Sequence, residues 1–240
     1  MADYLHTLAF GIYPYVAIAI FLLGSLLRFE REQYSWKSGS SQLLRRRQLR
    51  IGSNLFHIGI LFLLFGHTVG LLTPYPIYTL FVTSAQKQML AIVTGGIAGV
   101  ICFIGLTMLL HRRLYDPRIR ATSSIADIAI LALVWLQLVL GLATIPFSLG
   151  HRDGHVMVQL SNWAQHIVTL QPGAASYLDG VSWIFKAHIL LGITLFVAFP
   201  FSRLVHIWSA PVSYVFRPYQ LVRRRGAARV TDRGATGAVR

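Results

Sequence analysis

Five apolar stretches of membrane-spanning length constrain the fold of this chain more than any other feature. A helix needs about 20 consecutive, mostly apolar residues to cross the hydrocarbon core of a bilayer. Runs of this kind lie at residues 8–27, 51–72, 88–110, 125–147 and 183–207. With 55% hydrophobic and 12% charged residues, the chain is typical of a polytopic membrane protein. We therefore expect an all-α integral membrane protein with five transmembrane helices, surrounded by membrane lipid.

Basic residues are distributed unequally between the two sides of these spans. Seven Lys and Arg residues lie in the first loop, four lie between the third and fourth spans, and eight extend from Arg203 to the C-terminus. The opposite side carries Lys87, Arg152 and Lys186 alone. Because cytoplasmic loops are enriched in Lys and Arg, we expect an outside N-terminus and a cytoplasmic C-terminus. Topology thus explains the net charge of +14, and nucleic acid is not an expected partner.

Three segments are interpreted from their composition. The N-terminus lacks a basic region and a small-residue cleavage site, so we expect the first span to be retained rather than removed as a signal peptide. Residues 162–170, in the outer connection, mix apolar and polar side chains and predict a short interfacial helix. Residues 1–225 are expected to form the membrane domain, followed by a basic tail at 226–240 that is disordered or bound by a partner.

The single cysteine, Cys102, limits the cofactors that this chain can hold. One thiol cannot form an intrachain disulfide, a CxxCH haem attachment or a four-cysteine iron–sulfur cluster. A metal bound by this chain therefore requires histidine ligands, and an iron–sulfur centre has to belong to a partner. Cys102 lies in an apolar span, where packing is its expected role.

Four of the nine histidines lie at depth within spans, and they occur on the second and fifth spans alone. Ionisable side chains are costly inside a membrane and indicate a functional site. Because the two spans run in opposite directions, His57 and His206 are predicted toward the cytoplasm, and His67 and His188 toward the outside. Two haems, each held between the same two helices, would require this pairing.

The spacings of the two histidine pairs do not match in a regular helix. His188 and His206 are 18 residues apart, which is five α-helical turns, so we expect both on one face about 27 Å apart. His57 and His67 are ten residues apart, which gives about 15 Å of rise and roughly 80° between their directions. Pro200 predicts a kink in the fifth span, which would absorb part of this difference.

The residues alone leave alternatives to a pair of haems open. A zinc site needs three or four ligands, whereas each level of the membrane offers two histidines. A proton relay normally includes intramembrane carboxylates, and Asp127, near a span end, is the available candidate. The third alternative is that the histidines are unrelated packing residues.

The sequence around these histidines resembles a known family, the gamma subunit of membrane-bound respiratory nitrate reductase, a dihaem cytochrome b. The resemblance is carried by SNLFHIGI, GHTVGLLTP, LHRRLYDPRIRATS, GLATIPFS and FPFSRLVHIWSAPVSYVFRPYQLVR, and it extends over about residues 10–225. It implies two haem b cofactors, with His67 and His188 on the distal haem and His57 and His206 on the proximal haem.

The resemblance also implies partners and a location. Electrons would leave the chain for an iron–sulfur beta subunit and then a molybdenum-containing alpha subunit that reduces nitrate, both on the cytoplasmic side. The complex would lie in the inner (cytoplasmic) membrane of a prokaryotic cell. Menaquinol or ubiquinol would be oxidised at the outer face, with Gly66, His67 and Lys87 lining the quinol site.

Some of these residues have a second interpretation. Lys87 also fits a lysine that extends its ammonium group to the membrane interface. Arg113 and Arg203 stand at cytoplasmic span ends, where they either contact haem propionates or anchor the helices by their positive charge.

Two other functional classes are compatible with the residues. A quinol-linked cytochrome b of this kind would also suit a different reductase, such as a sulfite-type or heterodisulfide-type complex. The second class is a haem-free membrane protein whose histidines gate protons, although the lack of intramembrane carboxylates counts against it.

Overall fold

Five helices that are long and apolar enough to cross a membrane make up the fold. The computed structural model describes residues 2–36, 44, 46–209 and 216–218, and within these residues there is no strand. The five candidate spans are Asp3–Arg31, Arg47–Leu72, Ser84–Tyr115, Ile125–Gly150 and Trp183–Phe201. The predicted fold class, an all-α integral membrane protein with five spans, is therefore confirmed.

Short helices accompany the spanning ones. The α-helices of the described residues are α1 (Ala2–Thr7), α2 (Tyr13–Arg31), α3 (Arg46–Leu72), α4 (Tyr75–Tyr78), α5 (Ser84–Tyr115), α6 (Pro117–Ala121), α7 (Ile125–Gly150), α8 (His155–Val168) and α9 (Trp183–Ala198). A π-helical turn at Leu8–Ile12 joins α1 to α2, and 3-10 turns lie at Gln33–Ser35, Ala174–Leu178, Phe199–Phe201 and Arg203–Ser209.

Polar caps fix where two of the spanning helices begin. Thr83 precedes α5 and forms a capping box with Gln86, and Ser124 precedes α7 and forms one with Asp127. In each box the side chains satisfy backbone N–H groups that have no partner within the helix. For α5 this cap lies outside the apolar run, so the helix is longer than the predicted span 88–110.

The packing order of the helices keeps the two histidine-bearing helices apart. α3 packs on α5 and α8, α5 on α7, α7 on α9, and α9 on α2, whereas α3 and α9 share no extensive contact within the described structure. At the α3–α5 crossing, a Cβ on Gly59 would lie 2.6 Å from the Cβ of Cys102. Cys102 is buried and unpaired, in agreement with its predicted packing role.

The fifth span differs from its prediction. The sequence predicts a kinked α-helix through 183–207, but α9 ends at Ala198 and the chain continues in 3-10 turns interrupted by the extended residue Ser202 (φ −121°, ψ 177°). Pro200 lacks an N–H and its ring clashes with the preceding turn, so the helix breaks here rather than bends. The prediction that His188 and His206 share one face of a single helix is therefore wrong.

The helix α8 closes one end of α3. It overlaps the interfacial helix predicted at 162–170 and begins earlier, after Gly154, whose positive φ of 83° favours glycine. The Gln165 side chain donates to the carbonyls of Leu71 (2.9 Å) and Thr73 (3.3 Å). Since the last carbonyls of a helix lack internal partners, α8 stabilises the C-terminal end of α3.

The chain divides into two units after Trp208. The spanning helices belong to the first unit, and from Ser209 onward the structure describes only Ser209 and residues 216–218. The tail predicted at 226–240 lies outside the described residues. The proposed limit of the membrane domain at residue 225 stays a prediction.

Candidate functional site

His67 on α3 and His188 on α9 lie close together at the end of the bundle that carries α8. Their ring centroids are 6.2 Å apart, and the ring planes are inclined by 43°. Metal–imidazole bonds are about 2.0–2.1 Å long, so a metal between two imidazoles separates their centroids by roughly 6 Å. The separation of these two rings therefore fits a metal centre with two histidine ligands.

All four candidate histidines use Nδ1 in a hydrogen bond to a backbone carbonyl. The acceptors are Ser53 for His57 (2.7 Å), Leu63 for His67 (2.7 Å), Gln137 for His188 (3.1 Å) and Arg203 for His206 (2.6 Å). A carbonyl can only accept, so Nδ1 carries the proton and the Nε2 lone pair is left for a metal. The donor set suits haem iron.

His166, which is not one of the four candidates, makes the same kind of Nδ1 hydrogen bond but differs from them at Nε2. His166 donates to the carbonyl of Asn162 (2.9 Å), but its Nε2 lies 3.2 Å from the Tyr177 hydroxyl. The coordinating nitrogen of His166 is thus already occupied. Nε2 of His67 and of His206 has no such partner within the described residues, and Nε2 of His188 makes only a longer contact, 3.5 Å from the Gln137 amide nitrogen.

The helix α7 packs directly against the ring of His188. A Cβ on Gly141 would lie 2.9 Å from Cε1 of His188, and the Gln137 amide nitrogen is 3.5 Å from its Nε2. His188 is therefore carried by α9 and oriented by α7. Sequence reasoning missed both positions, although a glutamine within an apolar span is a detectable signal for Gln137.

The second histidine pair is arranged differently. His57 is exposed on α3, and His206 is half-buried in the 3-10 turn after the break in the fifth span. Their rings make no contact of the kind seen for His67 and His188 in the part of the chain that is described. α3 is the least buried of the five spans, so its histidine-bearing surface is largely uncovered by this chain.

Larger ligand clusters do not form in the described part of the chain. No group of three or more His, Cys, Asp or Glu side chains comes together there in a way that could hold a metal ion. The zinc alternative, which needs three or four protein ligands, therefore gains no support from these residues.

Arg113 and Arg203 converge on one carboxylate at the opposite end of the bundle from α8. Asp127 lies 3.5 Å from Arg113 and 3.9 Å from Arg203, and all three side chains are mostly buried. Burial and the neighbouring Arg113 lower the pKa of Arg203, while Asp127 opposes this shift. Asp127 also belongs to the cap of α7, so it has a structural role besides its contacts with the two arginines.

Lys87 is buried in the first turns of α5. Its ammonium group has no hydrogen-bond partner among the described residues and lies 3.7 Å from the centroid of the Tyr78 ring. The ammonium group lies over the face of the ring, a cation–π contact, whereas the Tyr78 hydroxyl is bonded to Ser84 (2.9 Å). A buried, unpaired cation fits a ligand-binding role better than an ammonium group extended into water. Tyr78 was not among the sequence-derived candidates.

The third predicted quinol-site residue, Gly66, opens onto free space. A Cβ built on it meets no atom of the described residues within 4 Å. Lys87 makes no hydrogen bond to His67, so the structure does not join the three predicted residues by direct polar contacts.

Comparison with known proteins gives a consistent family assignment. The family described as nitrate reductase gamma subunit matches residues 6–225. The chain is 53% identical to the respiratory nitrate reductase 1 gamma chain of Escherichia coli K12, over 93% of this chain and 99% of that protein. It is 37% identical to the nitrate reductase gamma chain of Bacillus subtilis 168, over 90% and 96% of the two chains. The chain belongs to the nitrate reductase gamma subunit family.

Proposed function

We propose that this chain is the quinol-oxidising cytochrome b subunit of a respiratory nitrate reductase, with two haem b groups. The observation that carries the proposal is the His67–His188 pair, whose ring centroids are 6.2 Å apart and whose Nδ1 atoms are both occupied. The proposed acceptors are an iron–sulfur beta subunit and a molybdenum-containing alpha subunit. When bound, the haems would supply one-electron transfer between the two sides of the membrane.

The four histidines are proposed to hold the two haems in two pairs. His67 and His188 would hold the distal haem, and His57 and His206 would hold the proximal haem. A haem held by two histidines would supply electron transfer rather than oxygen binding. The backbone carbonyls that accept from each Nδ1 would keep the rings oriented and raise the basicity of Nε2.

Arg113 and Arg203 are proposed to contact the propionates of the proximal haem. Asp127 lies between the two guanidinium groups and would keep both side chains extended toward the same region. Arginine guanidinium groups bind carboxylates through charge-assisted hydrogen bonds, and the propionates of a haem are carboxylates.

The quinol site is proposed at the end of the bundle next to α8, with Lys87, His67 and Gly66. Lys87 would donate a hydrogen bond to a quinol oxygen, because its ammonium group is buried and no acceptor in the described part of the chain reaches it. The open space beside Gly66 would admit the quinol ring. Oxidation of a quinol to a quinone releases two electrons and two protons, and we expect the protons to leave on the outer side.

The proposed orientation has an outside N-terminus, a cytoplasmic C-terminus and a location in the prokaryotic inner membrane. It rests on the excess of Lys and Arg in the loops assigned to the cytoplasm. Moving an electron inward against 100 mV, negative inside, costs about 2.3 kcal/mol. Quinol oxidation on the outer side would therefore conserve redox energy as proton-motive force.

Loss of one haem on substitution of His188 tests this function. We expect the purified His188→Ala chain to contain one haem instead of two and to lose quinol oxidation. His166→Ala is the matched control, since the Nε2 of His166 is already bonded to Tyr177. Pyridine haemochrome analysis measures haem per chain, and two haems in His188→Ala would contradict the ligand assignment.

A further inference from the structure

Arg28, in the last turn of α2, contacts the chain where the fifth span breaks. Its Nη1 donates to the carbonyls of Pro200 (2.6 Å) and Ser202 (2.8 Å). Its Nε and Nη2 donate to the side chain (3.1 Å) and the carbonyl (2.8 Å) of Ser35. All three guanidinium nitrogens are used, and two of the four bonds reach the same broken segment.

The break creates the acceptors that Arg28 satisfies. Where an α-helix ends, its last carbonyls have no N–H partner within the helix. Unpaired backbone groups are costly at membrane depth, and non-helical backbone is tolerated there only when protein or water satisfies it. Arg28 supplies two charged N–H donors to Pro200 and Ser202, so it takes the place of the hydrogen bonds that a continuous helix would have made.

The face of α2 that carries Arg28 also packs against Pro200 and Trp208, on either side of the extended residue Ser202. A Cβ on Gly24 would lie 2.8 Å from the Pro200 ring, so the close approach needs glycine. Phe21 stacks on Trp208 with a centroid distance of 5.3 Å, and the Trp208 indole donates to Ser25 (3.3 Å). These α2 residues recur three to four positions apart and form one helix face.

The segment that Arg28 contacts, from Pro200 to Ser202, leads directly to His206. Ser202, whose carbonyl Arg28 holds, is followed by Arg203, whose carbonyl accepts the bond from Nδ1 of His206 at 2.6 Å. The Ser202 hydroxyl accepts from the backbone N–H of Leu204, which fixes the turn between them. The position of the carbonyl that orients His206 is thus tied to the guanidinium group of Arg28.

We propose that Arg28 is a positioning residue for His206. It holds the broken end of the fifth span against α2 and thereby sets the direction in which His206 presents Nε2. The inference rests on the proposed role of His206 as a ligand of the proximal haem. It adds a residue of the first span to a site otherwise built from the second, third and fifth spans.

The test uses the purified full chain with Arg28→Gln, Arg28→Lys and Gly24→Ala. Redox titration and electron paramagnetic resonance of the oxidised protein distinguish the two haems, and His206→Ala identifies the signals of the proximal one. We expect Arg28→Gln and Gly24→Ala to shift the potential and the low-spin signal of the proximal haem alone. Arg28→Lys should restore part of the wild-type signal, because lysine keeps the charge but cannot bond both carbonyls and Ser35 together.

Arg31→Gln is the matched control, since Arg31 is exposed in the same last turn of α2 and carries the same charge. It should leave both haem signals unchanged. Proximal signals in Arg28→Gln and Gly24→Ala that match wild type would overturn the inference, and so would equal changes at both haems. Retention of two haems in His206→Ala would instead refute the underlying ligand assignment, so the two failures are distinguishable.

Discussion

His188 shows how two helices share the orientation of one side chain. Its Nδ1 donates to the carbonyl of Gln137 on α7, and its Cε1 lies where a Cβ on Gly141 would be only 2.9 Å away. The other three candidate histidines instead bond carbonyls within their own segment. The ring of His188 is therefore the most constrained of the four.

Gly141→Ala is expected to displace His188 without removing it. The added methyl group would overlap Cε1, and overpacking of this kind costs about 1–3 kcal/mol. We expect partial loss or an altered spectrum of the haem that His188→Ala removes. Gly150→Ala, on the same helix, is the control because its Cβ would meet no atom within 4 Å. Identical haem content and spectra in both variants would disprove the contact.

Lys87→Met is expected to impair quinol oxidation while leaving both haems in place. Methionine keeps most of the volume but removes the buried ammonium group, and a hydrogen bond to a charged donor contributes about 1.5–3 kcal/mol. The rate with quinol should fall by roughly tenfold or more. Steady-state kinetics with a soluble quinol analogue measures the change.

Tyr78→Phe is the matched control for the lysine variant. It keeps the ring face over which Lys87 lies and removes only the hydroxyl bonded to Ser84. We expect near wild-type quinol oxidation in Tyr78→Phe. A wild-type rate in Lys87→Met would remove Lys87 from the quinol site.

Among the elements, the spanning helices were predictable and the break in the last one was not. Apolar length and the absence of charge locate all five spans, because these properties are local. A proline within a span predicts either a kink or a break, and the outcome depends on whether other donors satisfy the freed carbonyls. Here that donor is Arg28, 172 positions before Pro200, which no local pattern reveals.

In the candidate site, too, the sequence predicted the features that depend on position along a helix and missed those that depend on packing between helices. Histidine depth and the antiparallel direction of spans two and five suggested which rings to pair, and the structure brings His67 and His188 together. Gln137 and Tyr78 were missed because their roles come from packing between helices. The ligand roles of the four histidines stay predictions.

The helices α3 and α5 pack closely where Gly59 meets Cys102. A Cβ on Gly59 would lie 2.6 Å from the Cβ of Cys102 and 2.8 Å from the carbonyl oxygen of Ala98. We expect Gly59→Ala to lower stability by about 1–3 kcal/mol, the usual cost of overpacking. Gly95→Ala is the control, since its Cβ has open space. Thermal unfolding in detergent compares them, and equal midpoints would contradict the tight crossing.

In the molecule as a whole, the way the helices pack agrees with the proposed position of the cofactors. The helices that carry the candidate ligands, α3 and α9, are separated, while the remaining spans pack around α9 and α5. α3 is held through α5 and α8, and its surface with His57 and His67 is exposed. This arrangement suits cofactors placed between α3 and α9.

Haem quantification of the purified chain tests the central claim most directly. A dithionite-reduced minus oxidised spectrum with pyridine haemochrome analysis should give two b-type haems per chain. One haem should be lost in either His57→Ala or His206→Ala, and the other in either His67→Ala or His188→Ala. A chain without haem, or losses that do not follow these pairs, would contradict the account.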